Sequence, residues 1–370
     1  MRPFNVDNFE VRILSKDFSG YYKIPGVEII PVRYRKSVIG GCVNAEFKVK
    51  GNKKSIWNLF DILRGQIEIY YSNQLVWYGY IDNVKLSFGA YSVGLDLTNM
   101  SNRIAVSYSK IDGENDTFTR ATTAWGDDIT SIAEYGYKEL MVSVGGMNDT
   151  QAINTRNVLL NNMSKPLPYF EYTGEEEGSG VITAKGWYNT LDWRYYSQAG
   201  TGIIENTSII SEIVSGVGQF IPRAVIDNTS GLYSTRYRVG DTTGWAEIVT
   251  LLNNGTVNGR RLLAEILPDR SLRIYEEPQL SSISLTNVSM FIYGDGTIRD
   301  KFGSELAIYK CPTGIALLQD SYLMDVGNAK LADPRVIFVE EGEYSVGRGY
   351  TPIARGAPSP WDIVERVAYG

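Results

Sequence analysis

The strongest constraint on the fold is a change of period within residues 40–108. Val43, Ala45, Phe47 and Val49 alternate with Asn44, Glu46, Lys48 and Lys50, the period of a strand with one face in a core and one in water. Ile56, Leu59, Phe60 and Leu63 then recur at helical spacing, with Ser55 placed to cap the helix and Gly65 to end it in the left-handed conformation. Strand character returns over 66–70, in the aromatic run Trp77-Tyr78-Gly79-Tyr80-Ile81, and over 91–97, with 103–108 as a closing strand. This order predicts a curled sheet with one short helix laid across it.

The flanking chain repeats the mixture. Ahead of this stretch lie strands at 9–14 and 27–31, the second ended by Pro31, which cannot donate to a ladder and so marks a margin. Asp112, Glu114 and Asp116 alternate like the start of a calcium loop, but Thr117 and Thr123 stand where glycine and glutamate are needed, so a solvated turn is expected. A helix from Asp127-Asp128 to Gly136, a strand over 139–144 and a helix capped by Asp149-Thr150 follow, the last with Ile153, Leu160 and Met163 on one face. Lys165-Pro166-Leu167-Pro168 leads into strands at 169–173, 181–185 and 187–196. Two more helices carry Ile209, Ile210, Ile213, Val214 and Val217, then Trp245, Ile248, Val249 and Leu252, the latter capped by Thr242 or Thr243 with Gly255 past its end. A hairpin turns at Pro268-Asp269, strands are expected at 288–293, 305–310 and 335–340, and 361–367 has the pattern of a short amphipathic segment.

The chemistry available is narrow. There is no histidine among the 370 residues, which removes the usual general base and imidazole metal ligand. Cys42 and Cys311 share no spacing motif and read as buried small hydrophobes. The carboxylates of Asp127-Asp128 and Glu175-Glu176-Glu177 are poorly placed for a hydrolase pair, since adjacent acids on a helix diverge and the triplet sits in a loop between glycines. No catalytic residue, cofactor or metal site is expected. A net charge of −6 argues against a grip on nucleic acid, which needs cations to displace phosphate counterions. No apolar run nears the ~20 residues of a membrane span, and the first residues lack the apolar core of a secretory signal, so no membrane insertion is expected and synthesis is expected in a cytoplasm. With 25 Tyr and 7 Trp, the chain is rich in side chains suited to β-structure and contact surfaces; Trp77, Tyr78, Tyr80, Trp187 and Trp193 are the aromatic contact candidates.

The order strand, helix, strand, Trp77-Tyr78-Gly79-Tyr80-Ile81 strand and alternating strand into Asn99-Met100-Ser101-Asn102-Arg103 resembles the first barrel of the hub proteins that ring the tip of bacteriophage tails, the family of the late-control type hub. The resemblance implies a mainly β chain with α/β insertions (α+β): two small tube-type barrels plus two mixed subdomains. On this reading 1–113 is the first barrel, 114–168 an α/β insertion, 169–205 with 278–357 the second barrel, 206–277 a further α/β insertion and 358–370 a tail. It implies a structural homotrimer in the virion, joining the tail tube to the tip. Its partners would be the tail tube protein, the distal tail protein, the tape-measure protein and a spike or fibre, with DNA passing through unbound. Any wall-degrading activity would belong to another chain. Asn44, Glu46, Lys48 and Lys50 are expected on the ring wall. The alternatives are a six-copy distal-tail or adaptor ring, and a virion carbohydrate- or receptor-binding protein using the aromatics as sugar platforms.

Overall fold

In a computed structural model, which describes residues 8–112, 117–172, 174–198, 202–235, 238–277 and shorter stretches between 282 and 353, the chain is mainly β with several helices. The strands β1 (Phe9–Ile13), β2 (Val27–Ser37) and β3 (Ile39–Gly51) come first. Ala45, Phe47 and Val49 of β3 are buried and Asn44, Lys48 and Lys50 exposed, as the alternation predicts. The phase reverses at Val43: Arg35 pairs with Asn44 and Lys36 with Cys42, which leaves Val43 as the extra residue of a bulge. Upstream of it Gly40 and Cys42 are the buried positions.

The helix over the sheet, α1 (Lys53–Trp57), runs directly into a 3-10 turn and buries Ile56 and Leu59. Its ends differ from expectation. Asn52 is the cap, and Ser55 supplies the backbone N–H that the Asn52 side chain accepts at 2.9 Å. The left-handed residue is Arg64 (φ 70°) instead of Gly65. Gly65 answers a different need, since a Cβ there would lie 2.8 Å from the Ile62 carbonyl oxygen and 3.0 Å from that of Leu14.

After β4 (Gln66–Tyr71), β5 (Gln74–Ser87) and β6 (Tyr91–Asp96) the chain enters a second sheet. Here β7 (Arg103–Asp112) pairs with β8 (Thr117–Thr122), β9 (Gly126–Asp127) and, in parallel, β10 (Glu139–Met147), so 103–108 does not close the first sheet. The junction is organised by buried Asn102, whose amide donates to Ser131 Oγ (3.1 Å) and the Gly136 carbonyl (2.8 Å) while its oxygen accepts from Lys138 N–H (2.8 Å). The helix α2 (Ile129–Tyr135) starts at Asp128 and stops at Gly136 (φ 85°), as expected. The next helix, α3 (Asp149–Met163), is capped one residue earlier than expected, by Asn148 in a capping box with Gln151. Its buried contact is Ala152 beside Val106 and Tyr108, while Ile153 is 43% exposed: a small residue lets the helix lie close on β7.

The following strands β11 (Pro168–Tyr172) and β12 (Ser179–Lys185) return to the first sheet. Expected in a second barrel, 179–185 instead lies between β5 and β3, with Ile182 opposite Phe47 and Ala184 opposite Ala45 on the buried face. The run 187–196, expected as a strand echoing 77–80, is a 3-10 turn over 187–193. Its polar residues fold back on it: the Asn189 amide donates to the Gly186 carbonyl (2.9 Å) and Thr190 Oγ1 to that of Trp187 (2.7 Å). Close approach to β3 forces the turn. Gly186 N–H donates to the Val43 carbonyl at 2.8 Å, and a Cβ on Gly186 would lie 1.6 Å from the Cys42 oxygen.

Beyond lie β13 (Tyr195–Gln198), β14 (Ile203–Glu205), α4 (Asn206–Val217), β15 (Ala224–Ile226), β16 (Tyr233–Thr235), β17 (Arg238–Thr243) and α5 (Gly244–Asn253). Both helical faces are as expected: Ile209, Ile210, Ile213, Val214 and Val217 are buried, as are Trp245, Ile248 and Leu252, with Thr243 as the cap of α5. The hairpin of β18 (Leu262–Ile266) and β19 (Leu272–Glu276) joins the first sheet beside β3. The strands β20 (Ser282–Leu285), β21 (Phe291–Ile292), β22 (Ile298–Arg299), β23 (Ile315–Gln319) and β24 (Arg335–Val339) form small ladders of their own. The last two, β25 (Glu341–Ser345) and β26 (Gly349–Ile353), extend the sheet from β2. The tail over 358–370, all but the last residue of the strand expected at 305–310, and residues 113–116 lie outside the described residues.

The result is a 13-stranded sheet with the path β1-β4-β5-β12-β3-β18-β19-β15, carrying β6 and β11 on β5 and β2, β25 and β26 on β3. It curls until its ends meet through rings: Phe9 of β1 packs 4.8 Å from Tyr71 and 6.0 Å from Tyr344 of β25, which stacks on Tyr34 at 5.3 Å. Pro31 is not a strand end, since β2 continues to Ser37. It sits at a second bulge, where Pro31 pairs with Phe47 and Arg33 with Glu46, outside the segment that β25 covers.

Candidate assembly interface

Pairing across the sheet places one polar band over six strands. Arg33, Glu46, Thr183 and Asn83 stand in register, as do Ile30, Lys48, Val181 and Lys85, and Glu28, Lys50 and Ser179. Opposite charges alternate within it: Arg33 Nε lies 2.9 Å from Glu46 and its Nη1 4.0 Å from Glu343, and Lys85 pairs with Glu171 at the far side. Thus Asn44, Glu46, Lys48 and Lys50 share one solvated face, with Glu46 engaged by Arg33 and the two lysines exposed. Exposed pairs of this kind contribute roughly 0–1 kcal/mol each, so the band adds little to the stability of the fold.

The band ends at β11, which among the described residues pairs with β6 on one side only. Tyr169 and Glu171 face the band; the Tyr169 hydroxyl bonds Asn83 at 3.1 Å, and its ring fills the space a Cβ would take at Gly94. The opposite face of the strand carries exposed rings: Phe170 is 70% and Tyr172 88% exposed, the latter opposite the exposed Tyr91 of β6. An open strand edge carrying exposed rings invites pairing with another chain. The sequence predicts this strand but not its surface; the signal for an edge is Pro168 at its start, a residue confined to edges and first positions.

The aromatic contact candidates are elsewhere. Trp77, Tyr80, Trp187 and Trp193 are buried, and Tyr78 is half-buried with its hydroxyl on the Ile266 carbonyl. Tyr80 packs 5.3 Å from both Trp187 and Trp193, and these tryptophans lie 5.6 and 5.7 Å from Phe220. They weld the sheet to the chain after α4 and present no ring face for a sugar to stack on.

Burial raises the phenols of Tyr34, Tyr78 and Tyr80 well above their ordinary value of 10.0 and that of Tyr275 to about 12. A group whose proton is held more tightly in the folded state contributes stability that is whole below pH 10 and lost as pH rises. Lys138 acts in the opposite sense: burial against the Leu97 and Thr98 carbonyls lowers its ammonium to about 8, so it favours the folded state as pH rises from about 8 to 10.5. Urea midpoints are therefore expected to hold or rise slightly between pH 8 and 10 and to fall steeply above; a midpoint unchanged at pH 11 would contradict this.

The carboxylates have structural partners. Glu139, overlooked in the sequence because it stands alone, is buried between Arg103 (3.2 Å) and Arg194 (3.4 Å) and accepts from Tyr195 N–H at 2.8 Å. Asp127 pairs with Arg103 at 3.4 Å, Asp128 caps α2, and Glu177 lies 3.2 Å from Lys53 on an exposed loop. Among the described residues no three His, Cys, Asp or Glu side chains are grouped to hold a metal. Cys42 and Cys311 are free and buried, and burial raises both thiols. No helix among the described residues is long and apolar enough to cross a membrane.

No family model matches the chain, and no curated protein matches it. Three solved structures are similar along nearly its whole length. A tail protein from Neisseria meningitidis MC58 is 9% identical with a TM-score of 0.42, over 93% of this chain and 94% of that one. The 43 kDa tail protein of prophage MuSo2 from Shewanella oneidensis is 8% identical with a TM-score of 0.42, over 92% and 94%. The prophage tail protein gp18 from Listeria monocytogenes EGD-e is 9% identical with a TM-score of 0.42, over 97% and 98%.

Proposed function

We propose that the chain is a structural protein of a bacteriophage tail, a baseplate or tail-tip hub that closes into a ring with copies of itself. The observation that carries this reading is the open edge of β11, where Phe170 and Tyr172 stand exposed at the end of a curled sheet. The sequence resemblance over 40–108 supplies the kind of assembly. In the proposed ring β11 pairs with a second copy, and the band of Asn44, Glu46, Lys48 and Lys50 lines the wall facing the lumen or the adjoining ring. The ring joins the tail tube to the tip, meets the tube and distal tail proteins and the spike or fibre, and lets the tape-measure protein and DNA pass through a mixed-charge wall that does not hold phosphate.

Light scattering on the purified protein is the test. Three copies are expected; six would favour the distal-tail or adaptor ring; a monomer at high concentration would overturn the reading. The double variant Phe170→Lys, Tyr172→Lys is expected to be a folded monomer, with the circular dichroism spectrum of the unaltered protein, because side chains this exposed contribute within about 0.5 kcal/mol to the fold of the single chain. An oligomer that survives both substitutions would move the interface away from β11.

A further inference from the structure

A cavity of about 570 Å³ lies apart from the sheet edge, lined by Lys16, Phe18, Arg64, Glu134, Phe220 and Arg270 among others. Its charges are unevenly matched. Lys16 is satisfied by Glu134 at 2.7 Å. Asp17, also at the cavity, accepts from the hydroxyls of Ser15 (2.5 Å) and Ser19 (2.8 Å), which hold its carboxyl down to about 2. The two arginines have no carboxylate at ion-pair distance among the described residues. Arg64 is 95% buried, since only 5% is exposed; its Nη2 donates to the Glu134 carbonyl at 3.2 Å and its Nε has no partner among the described residues. Arg270, half-buried, lies 3.7 Å over the Phe18 ring, and Arg64 lies 5.8 Å from the same ring and 5.3 Å from Phe220.

Burial and then the charge of Arg270 lower the Arg64 guanidinium to about 10, a shift that the more distant carboxylates of Asp17 and Glu134 oppose without cancelling. Both arginines also hold left-handed backbone, φ 70° and 66°, a conformation that non-glycine residues rarely adopt. A guanidinium lying over a ring, as Arg270 does over Phe18, keeps its N–H fork available to a planar anion; Arg64 adds its unpartnered Nε–H, and Phe18 and Phe220 supply apolar walls beside them.

We infer that this cavity is a binding site for an organic carboxylate with a flat apolar body, its carboxylate between Arg64 and Arg270 and its body against Phe18 and Phe220. The inference does not depend on the assembly reading. Titration calorimetry of the full chain at low salt, with benzoate, acetate and inorganic phosphate as probes, tests it. Benzoate is expected to bind saturably at one site per chain, about tenfold tighter than acetate or phosphate, because only benzoate uses both the forks and the rings. In Arg270→Asn, asparagine tolerates the left-handed backbone, and benzoate affinity is expected to fall about tenfold. Should that variant fail to fold, the wild-type protein alone decides: benzoate is expected to raise its melting temperature where equal acetate or phosphate does not. Absence of saturable benzoate binding, tighter binding of phosphate, or a folded Arg270→Asn that binds benzoate like wild type would overturn the proposal.

Discussion

Trp187→Ala is expected to lower stability by about 3–5 kcal/mol, read as a drop in the urea midpoint without a change in slope. Trp187 is 1% exposed and meets four elements of the molecule at once: Phe18 at 5.6 Å, Tyr80 at 5.3 Å, Phe220 at 5.6 Å and the Arg270 guanidinium at 5.8 Å. Its indole N–H has no hydrogen-bond partner among the described residues, so the cost is the loss of buried apolar surface plus the cavity left behind. That cavity cannot collapse easily. The backbone at Gly186 is held against β3, where a Cβ would lie 1.6 Å from the Cys42 oxygen, and the neighbouring rings are themselves packed on the sheet. Trp187→Phe, which refills most of the volume, is expected to cost about 1–2 kcal/mol. Equal losses for the two variants would mean that packing is not what Trp187 contributes.

Glu139→Ala is the second large effect, about 2–4 kcal/mol, and it should loosen one region more than the others. The Glu139 side chain is 5% exposed, between Arg103 of β7 and Arg194 before β13. The contact with Arg103 is an ion pair whose Nε geometry is not that of a hydrogen bond, whereas the Tyr195 N–H bond at 2.8 Å is well formed. Removing the carboxylate strands the Tyr195 backbone donor and takes one partner from each guanidinium, leaving Arg103 with Asp127 at 3.4 Å and Arg194 with the Gly216 carbonyl at 3.1 Å. The arginines are 23% and 25% exposed and regain some water, which holds the loss below that of a fully buried triad. Glu139→Gln keeps an acceptor for Tyr195 and should recover part of the loss. Hydrogen exchange is expected to quicken in β10 and around Tyr195 while β3 and β12 stay protected; uniform quickening would show that Glu139 does not act as a local tie.

The same residues show which signals were legible in the sequence. The alternation of β3 from Asn44 to Lys50, the faces of α4 and α5, the Thr243 cap and the hairpin at Pro268-Asp269 each depend on a few consecutive residues and are present as expected; Val43, expected on the buried face, falls out of phase because the bulge there answers to the pairing with β2. Helix ends were harder. Asn52 and Ser55 both have cap chemistry, and so do Asn148 and Asp149; which one caps depends on where the preceding strand releases the chain. Residues 187–193 carry strand-like aromatics, yet they turn because β3 stands in their way. The exposed rings of β11 and the pair Arg64 and Arg270 leave almost no local trace, since exposure depends on what packs around the strand and the two arginines stand 206 positions apart.

From its residues alone the chain determined that it would be mainly β with helical insertions, because a two-residue or 3.6-residue period commits a segment before it meets any partner. It also determined that histidine chemistry would play no part. Only the tertiary structure decided that β12 would lie between β5 and β3, that Trp77, Tyr80, Trp187 and Trp193 would be core, and that Phe170 and Tyr172 would be surface. Burial is a property of what packs against a side chain, and strands distant in sequence choose their neighbours by matching whole faces, which no single segment contains.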